Sequence, residues 1–245
     1  MIRIKYSVVN CLFGLMLLSA CDKDHLFDCL KNTGSIVTET RTVSEFNRID
    51  VYNNVNVIIT QDTENAISVE AGSQIISGIT TELSDGVLTI RNENKCNWVR
   101  SYSTTIVVHV HAKRIDFIHQ HGSALISSAN QLKCSTLDLN VWNSGNISLD
   151  VAADSIYSRQ HTTVGDITLK GQTNYCFAYN NGNGFTYESN LQVIDGVVIQ
   201  RGTGDCYVNM SQTMDVEIHD SGNIYYMGSP RIRSTITGSG RLIQQ

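Results

Sequence analysis

The chain has a single proline in 245 residues, Pro230, and beyond its N-terminus it lacks the Ala/Leu/Glu/Lys periodicity of helices. Charged residues make up only 17% of it, the net charge is −5, and no basic cluster is present, which excludes nucleic acid as a partner. No Cys-x-x-Cys spacing occurs among the seven cysteines, so neither a structural zinc knuckle nor a thioredoxin-like redox pair is expected. Also missing are a Gly-x-Ser-x-Gly elbow, a phosphate-cradling glycine loop and a His-Glu-x-x-His pair. The apolar run from Val8 to Leu18 is too short to cross a bilayer comfortably. What remains is a chain rich in Val, Ile, Thr, Tyr and Asn, long enough for one large β domain or two modest ones.

The β-forming residues are organised by a repeat. Aligned on glycine, the second half reads His121-Gly122-Ser123-Ala124, Ser144-Gly145-Asn146-Ile147, Val164-Gly165-Asp166-Ile167, Asn183-Gly184-Phe185-Thr186, Thr203-Gly204-Asp205-Cys206, Ser221-Gly222-Asn223-Ile224 and Ser239-Gly240-Arg241-Leu242. The spacings are 23, 20, 19, 20, 18 and 18 residues, the period of a stacked repeat. Glycine enters positive φ freely, and a following Asn or Asp can bond its own backbone, so each motif predicts a left-handed corner. After the corner, residues alternate as in a half-buried strand: Ile147, Leu149 and Val151 on one face, Asn146, Ser148 and Asp150 on the other. The pattern predicts an all-β, parallel β-solenoid in which Ala124, Ile147, Ile167, Thr186, Cys206, Ile224 and Leu242 form one inward column.

The N-terminus reads as an address. Arg3 and Lys5, the apolar run and Leu18-Ser19-Ala20-Cys21 describe a signal peptide over residues 1–20, and Leu-Ser-Ala-Cys resembles the lipobox of bacterial lipoproteins. Cys21 is then the acylated new N-terminus, residues 21–33 form a tether, and the membrane is a partner through acyl chains. Loss of Arg3 and Lys5 leaves a net charge of −7. Outside the cytoplasm disulfides are permitted, and a Cys29–Cys96 bridge would pin the tether to the body. Cys206 falls in the inward column and reads as a buried hydrophobe, while Cys134 and Cys176 are left unassigned.

Residues 34–112 carry strands without the glycine corner, and residues 113–245 carry the repeats. Val55, Val57 and Ile59 alternate, as do Ile67, Val69 and Ala71, and Ile106, Val108 and Val110; Asp85-Gly86 between two apolar runs is a hairpin signal. This half is either the capped end of the solenoid or a small antiparallel domain docked on it. The run from Arg41 to Val51, then Asn56-Val57-Ile58-Ile59, Asp85 to Ile90, Cys96 to Tyr102, and the Gly-Asn-Ile and Gly-Asp-Ile corners together resemble the "putative autotransporter-adhesin, head GIN domain" family. The resemblance covers about Gly34 to Arg241. It implies a solenoid-like all-β fold, often on lipoproteins of Bacteroidota, with no established enzyme activity or catalytic residues. With the acidic run Asp22-Lys23-Asp24 after the cysteine, it favours the outer membrane, with exposure at the cell surface an open alternative. The chain departs from the pattern at Asn183-Gly184-Phe185 and Gly204-Asp205-Cys206, where the coil register is least defined.

Three kinds of site compete. Trp142, Tyr157, Tyr179 and Tyr225 are aromatic side chains near Asn and Asp, a combination suited to sugar rings, with cross-strand stacking as the plain structural alternative. His109 with His111, and His119 with His121, share strand faces and would chelate zinc or copper if a third ligand came from a neighbouring coil; the ordinary reading is solvent-facing residues, and no metal or other cofactor is expected. Asp166, Asp205 and Asp220 sit one per corner, where Asp serves the backbone, whereas glycan-cleaving chemistry needs carboxylates that converge. The expected function is therefore that of a non-catalytic, lipid-anchored cell-envelope module, either an adhesin-like or ligand-binding one, with a glycan or an envelope protein as partner, or one that fills a structural role in the envelope. A glycan-active β-helix enzyme and a metal-binding periplasmic protein are the alternatives, and the oligomeric state is open.

Overall fold

The computed structural model describes residues 32–95, 106–162 and 164–245; the expected leader, Cys21, Cys29 and Cys96 lie outside the described residues. No helix among those described is long and apolar enough to cross a membrane. The strands are β1 (Ile36–Arg41), β2 (Arg48–Val51), β3 (Asn56–Gln61), β4 (Ala66–Gly72), β5 (Ile79–Ser84), β6 (Val87–Asn92), β7 (Val107–Ala112), β8 (Phe117–Gln120), β9 (Leu125–Ser128) and β10 (Leu132–Val141). They continue as β11 (Asn146–Gln160), β12 (Ile167–Asn180), β13 (Thr186–Gln200), β14 (Cys206–Ile218), β15 (Ile224–Met227), β16 (Arg231–Ile236) and β17 (Leu242–Gln244).

These strands wind a parallel β-solenoid with two walls. β8, the ends of β10 to β14, and β16 stack in parallel as the front wall; β9, the beginnings of β11 to β14, β15 and β17 form the back wall. β11 to β14 are long because each starts on the back wall, bends, and finishes on the front wall. The alternation in the sequence explains the core. Ile147, Leu149, Val151 and Ile156 of β11 are buried while their neighbours point outward, and the next coil repeats this with Ile167 and Leu169. Each such side chain contributes about 1.5–3 kcal/mol once covered, and the covering atoms come from adjacent coils.

The N-terminal strands enter the same stack out of sequence order. β2 pairs in parallel with both β6 and β8, and β3 with both β7 and β9, so the coil made by β2 and β3 lies between two coils that follow it in the chain. Antiparallel strands then close that end: β5 lies on β6, β4 on β7, and β1 on β4. The Asp85-Gly86 hairpin forms as expected, with both residues at positive φ (51° and 76°). At the other end β16 pairs with β14 and β17 with β15, and Ile236 is 46% exposed.

Two expectations are corrected. The inward column runs Ile126, Ile147, Ile167, Thr186, Cys206, Ile224, Leu242, so its first member is Ile126 rather than Ala124. Aligning the first repeat on Gly122 misplaces it by two residues, because Ala124 occupies the place that Gly145 takes in the next coil. The corner glycines are also not left-handed. Among the described residues, glycines with positive φ are Gly34, Gly86, Gly171 and Gly228. The corners need glycine because coils touch there: a Cβ on Gly165 would meet the Gly145 carbonyl oxygen at 2.2 Å, and one on Gly184 would meet that of Gly165 at 2.1 Å. The Asn or Asp that follows bonds the next coil instead of its own backbone. Asn146 Oδ1 accepts from Asp166 N (2.9 Å), Asp166 Oδ1 from Phe185 N (2.7 Å) and Asp205 Oδ1 from Asn223 N (2.7 Å).

Candidate functional site

The glycine corners form one long edge of the solenoid. Inside it lies a column of wholly buried amides, Gln120, Gln160, Asn180 and Gln200, which ends the front-wall strands. Gln120 donates to the Ala124 carbonyl (2.7 Å) and accepts from Gly122 N (2.9 Å); Asn180 donates to Gly184 O (2.8 Å) and accepts from Gly182 N (3.0 Å). Gln160 donates to Gly165 O (2.6 Å) and accepts from the Thr186 hydroxyl (2.7 Å), which explains how a threonine fits the inward column. The corner backbone cannot reach water on its inner side, and the amides supply the missing partners.

Outside the corner, the first residue after each front-wall strand faces solvent. Register makes Tyr52, His121, Trp142, His161, Asn181, Arg201 and His219 equivalent. The first four stack as rings, with centroids 4.6, 6.3 and 3.5 Å apart and planes within 8°, and Arg91 lies 4.0 Å over the Tyr52 ring. Burial lowers the pKa of His119, His121 and His161; Arg48 adds to the effect at His119 and Arg159 at His161, so these imidazoles are neutral near pH 7.

Where the rings stop, a groove of about 440 Å³ opens. Trp142, itself 49% exposed, stands on one side, and Asn181, Asn183, Arg201, Thr203 and Asp220 bring amide, guanidinium, hydroxyl and carboxylate groups to the rest. The Thr203 hydroxyl donates to Asn183 Oδ1 (2.7 Å), and Arg201 reaches Glu217 at 3.9 Å. A second groove, about 730 Å³, lies at the opposite bend and is lined by residues such as Asp154, Gln172, Asn174 and Gln192, with no aromatic ring among its lining residues. Each groove contains one lining carboxylate, Asp220 or Asp154.

The four aromatic residues expected at a ligand do not converge. Trp142 lies at the corner groove. Tyr179 is tilted against His161 on the front wall (6.3 Å), and Tyr157 packs with Tyr175 and Phe177 under Arg159. Tyr225 belongs to a back-wall stack with Tyr207 (4.9 Å) and Tyr187, the stabilising cross-strand arrangement. The polar half of the groove, Asn181, Asn183, Arg201 and Thr203, escaped sequence reasoning, although these residues sit at the variable positions between corner glycines.

His111 pairs with Asp62 (3.0 Å) on the back wall beside His109, and a set of three possible metal ligands occurs instead at Asp50, His119 and His121. Asp166 and Asp205 are committed to backbone N–H groups, and Asp220 Oδ1 accepts from Ser221 N (2.7 Å). Cys134, Cys176 and Cys206 are free; burial pushes the Cys134 thiol up to about 11 and that of Cys206 to about 12, well away from a nucleophilic thiolate. Glu188 is wholly buried between the walls, flanked by the Cys176 thiol (3.4 Å) and the Ser158 hydroxyl, and burial raises its carboxyl pKa above the ordinary value.

A family model described as "Putative auto-transporter adhesin, head GIN domain" matches residues 45–230. A crystal structure of a "putative adhesin" from Bacteroides fragilis superimposes with a TM-score of 0.80 at 21% identity, covering 86% of this chain and 97% of that one. Two structures from Parabacteroides distasonis are also similar. One, a "putative adhesin", has a TM-score of 0.67 at 20% identity and covers 86% and 98% of the two chains. The other, a "putative lipid binding protein", has a TM-score of 0.68 at 18% identity and covers 87% and 98%. Among curated proteins, none matches the chain.

Proposed function

Since the chain belongs to the head GIN domain family of auto-transporter-adhesin-like proteins, we propose that it is a non-catalytic, glycan-binding module held at the cell envelope by a lipid on Cys21. The observation that carries this reading is the corner groove. A sugar ring needs an apolar face to lie on and directional groups for its hydroxyls, and the groove sets Trp142 beside Asn181, Asn183, Arg201 and Thr203. Membership of an adhesin-like family supports a surface or envelope address, and the lipobox-like Leu18-Ser19-Ala20-Cys21 would supply the means of attachment. Two-carboxylate glycoside hydrolysis requires a pair of acids about 5–9.5 Å apart across the scissile bond, and a single lining carboxylate in each groove supports binding over cleavage.

The test is glycan-array binding by the intact protein alongside Trp142→Ala, Thr203→Val and Tyr225→Ala variants. Binding to a defined glycan class that falls at least tenfold in Trp142→Ala and drops in Thr203→Val, with Tyr225→Ala unaffected, is the expected result. Absence of any glycan binding, or binding lost with Tyr225 and not with Trp142, refutes the corner groove as the site.

A further inference from the structure

We propose that Asp50, His119 and His121 form a binding site for a divalent transition-metal ion of the zinc and copper class, assembled across two adjacent coils of the front wall. His119 and His121 are two residues apart and leave the wall on the same side. The third ligand comes from the neighbouring coil, where β2 pairs with β8 and Asp50 stands directly opposite His119. One ligand atom from each of the three lies within 4.8 Å of the other two, and all three residues are half-buried. Asp50 Oδ1 is 3.6 Å from His119 Nδ1. Ligand bonds of about 2.0–2.1 Å at tetrahedral angles place neighbouring ligand atoms roughly 3.4 Å apart, so that edge is nearly formed and His121 has to close by up to about 1.4 Å.

The surroundings hold the ligands in place. The His121 ring is stacked on Tyr52 at 4.6 Å and faces Trp142 at 6.3 Å, which leaves it rotation in its own plane but little tilt. Asn140 Nδ2 lies 3.3 Å from His119 Nε2, the ring nitrogen turned away from Asp50. With Nδ1 on the metal, Nε2 carries the proton, so the Asn140 amide has to turn its oxygen toward the ring to accept from it. A cation already occupies the point where the lone pairs meet: Arg48 Nη2 is 2.8 Å from His119 Nδ1, and Arg48 Nε is 3.0 Å from Asp50 Oδ1. The Arg48 side chain is 36% exposed, so it can turn into solvent and give the position to a metal ion. Two imidazoles with one carboxylate suit zinc, copper and nickel over magnesium or calcium. His109 and His111 have no such arrangement, since His111 is engaged by Asp62 and no third ligand joins the pair among the described residues.

The experiment uses the full chain purified without a histidine tag, titrated calorimetrically with Zn²⁺ and Cu²⁺ and measured for bound metal. One ion per chain is expected. Asp50→Asn, His119→Ala and His121→Ala should each weaken binding at least tenfold, Arg48→Met should tighten it severalfold by removing the competing cation, and the His109→Ala/His111→Ala double variant should leave it unchanged. A second readout does not depend on those variants folding. With Trp98→Phe leaving Trp142 as the sole tryptophan, Cu²⁺ at His121 should quench its fluorescence with the same midpoint as the calorimetric titration. Stoichiometry near zero, binding abolished by the His109/His111 variant, or copper binding without quenching of Trp142 each overturns the proposal.

Discussion

Replacing Gly204 by alanine tests why the corners are glycine. A Cβ at this position would lie 1.9 Å from the Gly184 carbonyl oxygen, 2.6 Å from its carbon and 2.8 Å from the Asn183 oxygen, where ordinary contact begins at 3.4 Å. The two coils must separate by well over an ångström locally, against a strand spacing of about 4.8 Å. Overpacking of this kind costs about 1–3 kcal/mol. The separation also strains the Thr203 N to Gly182 O (2.9 Å) and Gly222 N to Gly202 O (3.1 Å) hydrogen bonds, each worth about 1 kcal/mol net. Reduced freedom of the unfolded chain returns about 0.4–1 kcal/mol. The expected net loss is about 2–4 kcal/mol, or roughly 4–16 °C in Tm for a chain of this size, read from denaturant and thermal unfolding followed by circular dichroism. Gly86 is the control. It has φ of +76°, and a Cβ added there would have only Asn47 Oδ1 nearby, at 3.7 Å, so Asn, which tolerates the left-handed region, should be accepted at Gly86 and rejected at Gly204. If Gly204→Asn unfolds no earlier than Gly86→Asn, close approach is not the reason for the repeat.

Three further outcomes follow from the same geometry. Gln200→Leu strands the Gly202 N–H, from which Gln200 accepts at 2.8 Å, and leaves Gly204 O only the longer bond from Asn180 Nδ2 (3.4 Å), and should cost about 1–3 kcal/mol in an unfolding titration; the fold should survive, because Val141 and Ile218 hold the equivalent position in other coils. Glu188 has its pKa raised by burial, so its stabilising, protonated form is complete below the unfolded value near 4.3 and is lost as pH rises through the folded value, at up to about 1.4 kcal/mol per pH unit. Glu188→Gln should therefore flatten the alkaline side of the stability profile and unfold later than the parent at high pH; identical profiles would show that the carboxyl does not govern it. Cys21→Ser should move the protein from the membrane to the soluble fraction, and continued membrane association would refute acylation there.

Much of the architecture was legible because it is periodic. The glycine spacing, the alternation through Ile147, Leu149 and Val151, and the Asp85-Gly86 turn are local signals, and each formed the element it predicted. The reason for the glycines was not legible, since a corner that needs positive φ and a corner that touches its neighbour leave the same residue in the sequence. The first repeat misled for a related cause: Gly122 makes its own close approach, with a Cβ there 2.0 Å from Asn53 O, so the glycine stands two residues from its expected place. Placement of β2 and β3 depends on pairing with residues 69 positions away, which no short motif encodes. The candidate site was visible only through Trp142, because Asn181, Arg201 and Thr203 become neighbours of that ring through the stacking of coils.

The out-of-order coil bears on how the protein would withstand a pull. For a chain tethered at its N-terminus and gripped at the corner groove, tension enters through β1, whose ladder among the described residues is to β4 alone. That strand can peel away bond by bond at low force. The next segments to feel the load are β2 and β3, each held on both sides by parallel ladders, β2 between β6 and β8 and β3 between β7 and β9. Extracting them requires several ladders to yield together. Under such a load the outermost strand would work as a slack element, and the interleaved coil behind it as a mechanical stop that shields Trp142 and the groove.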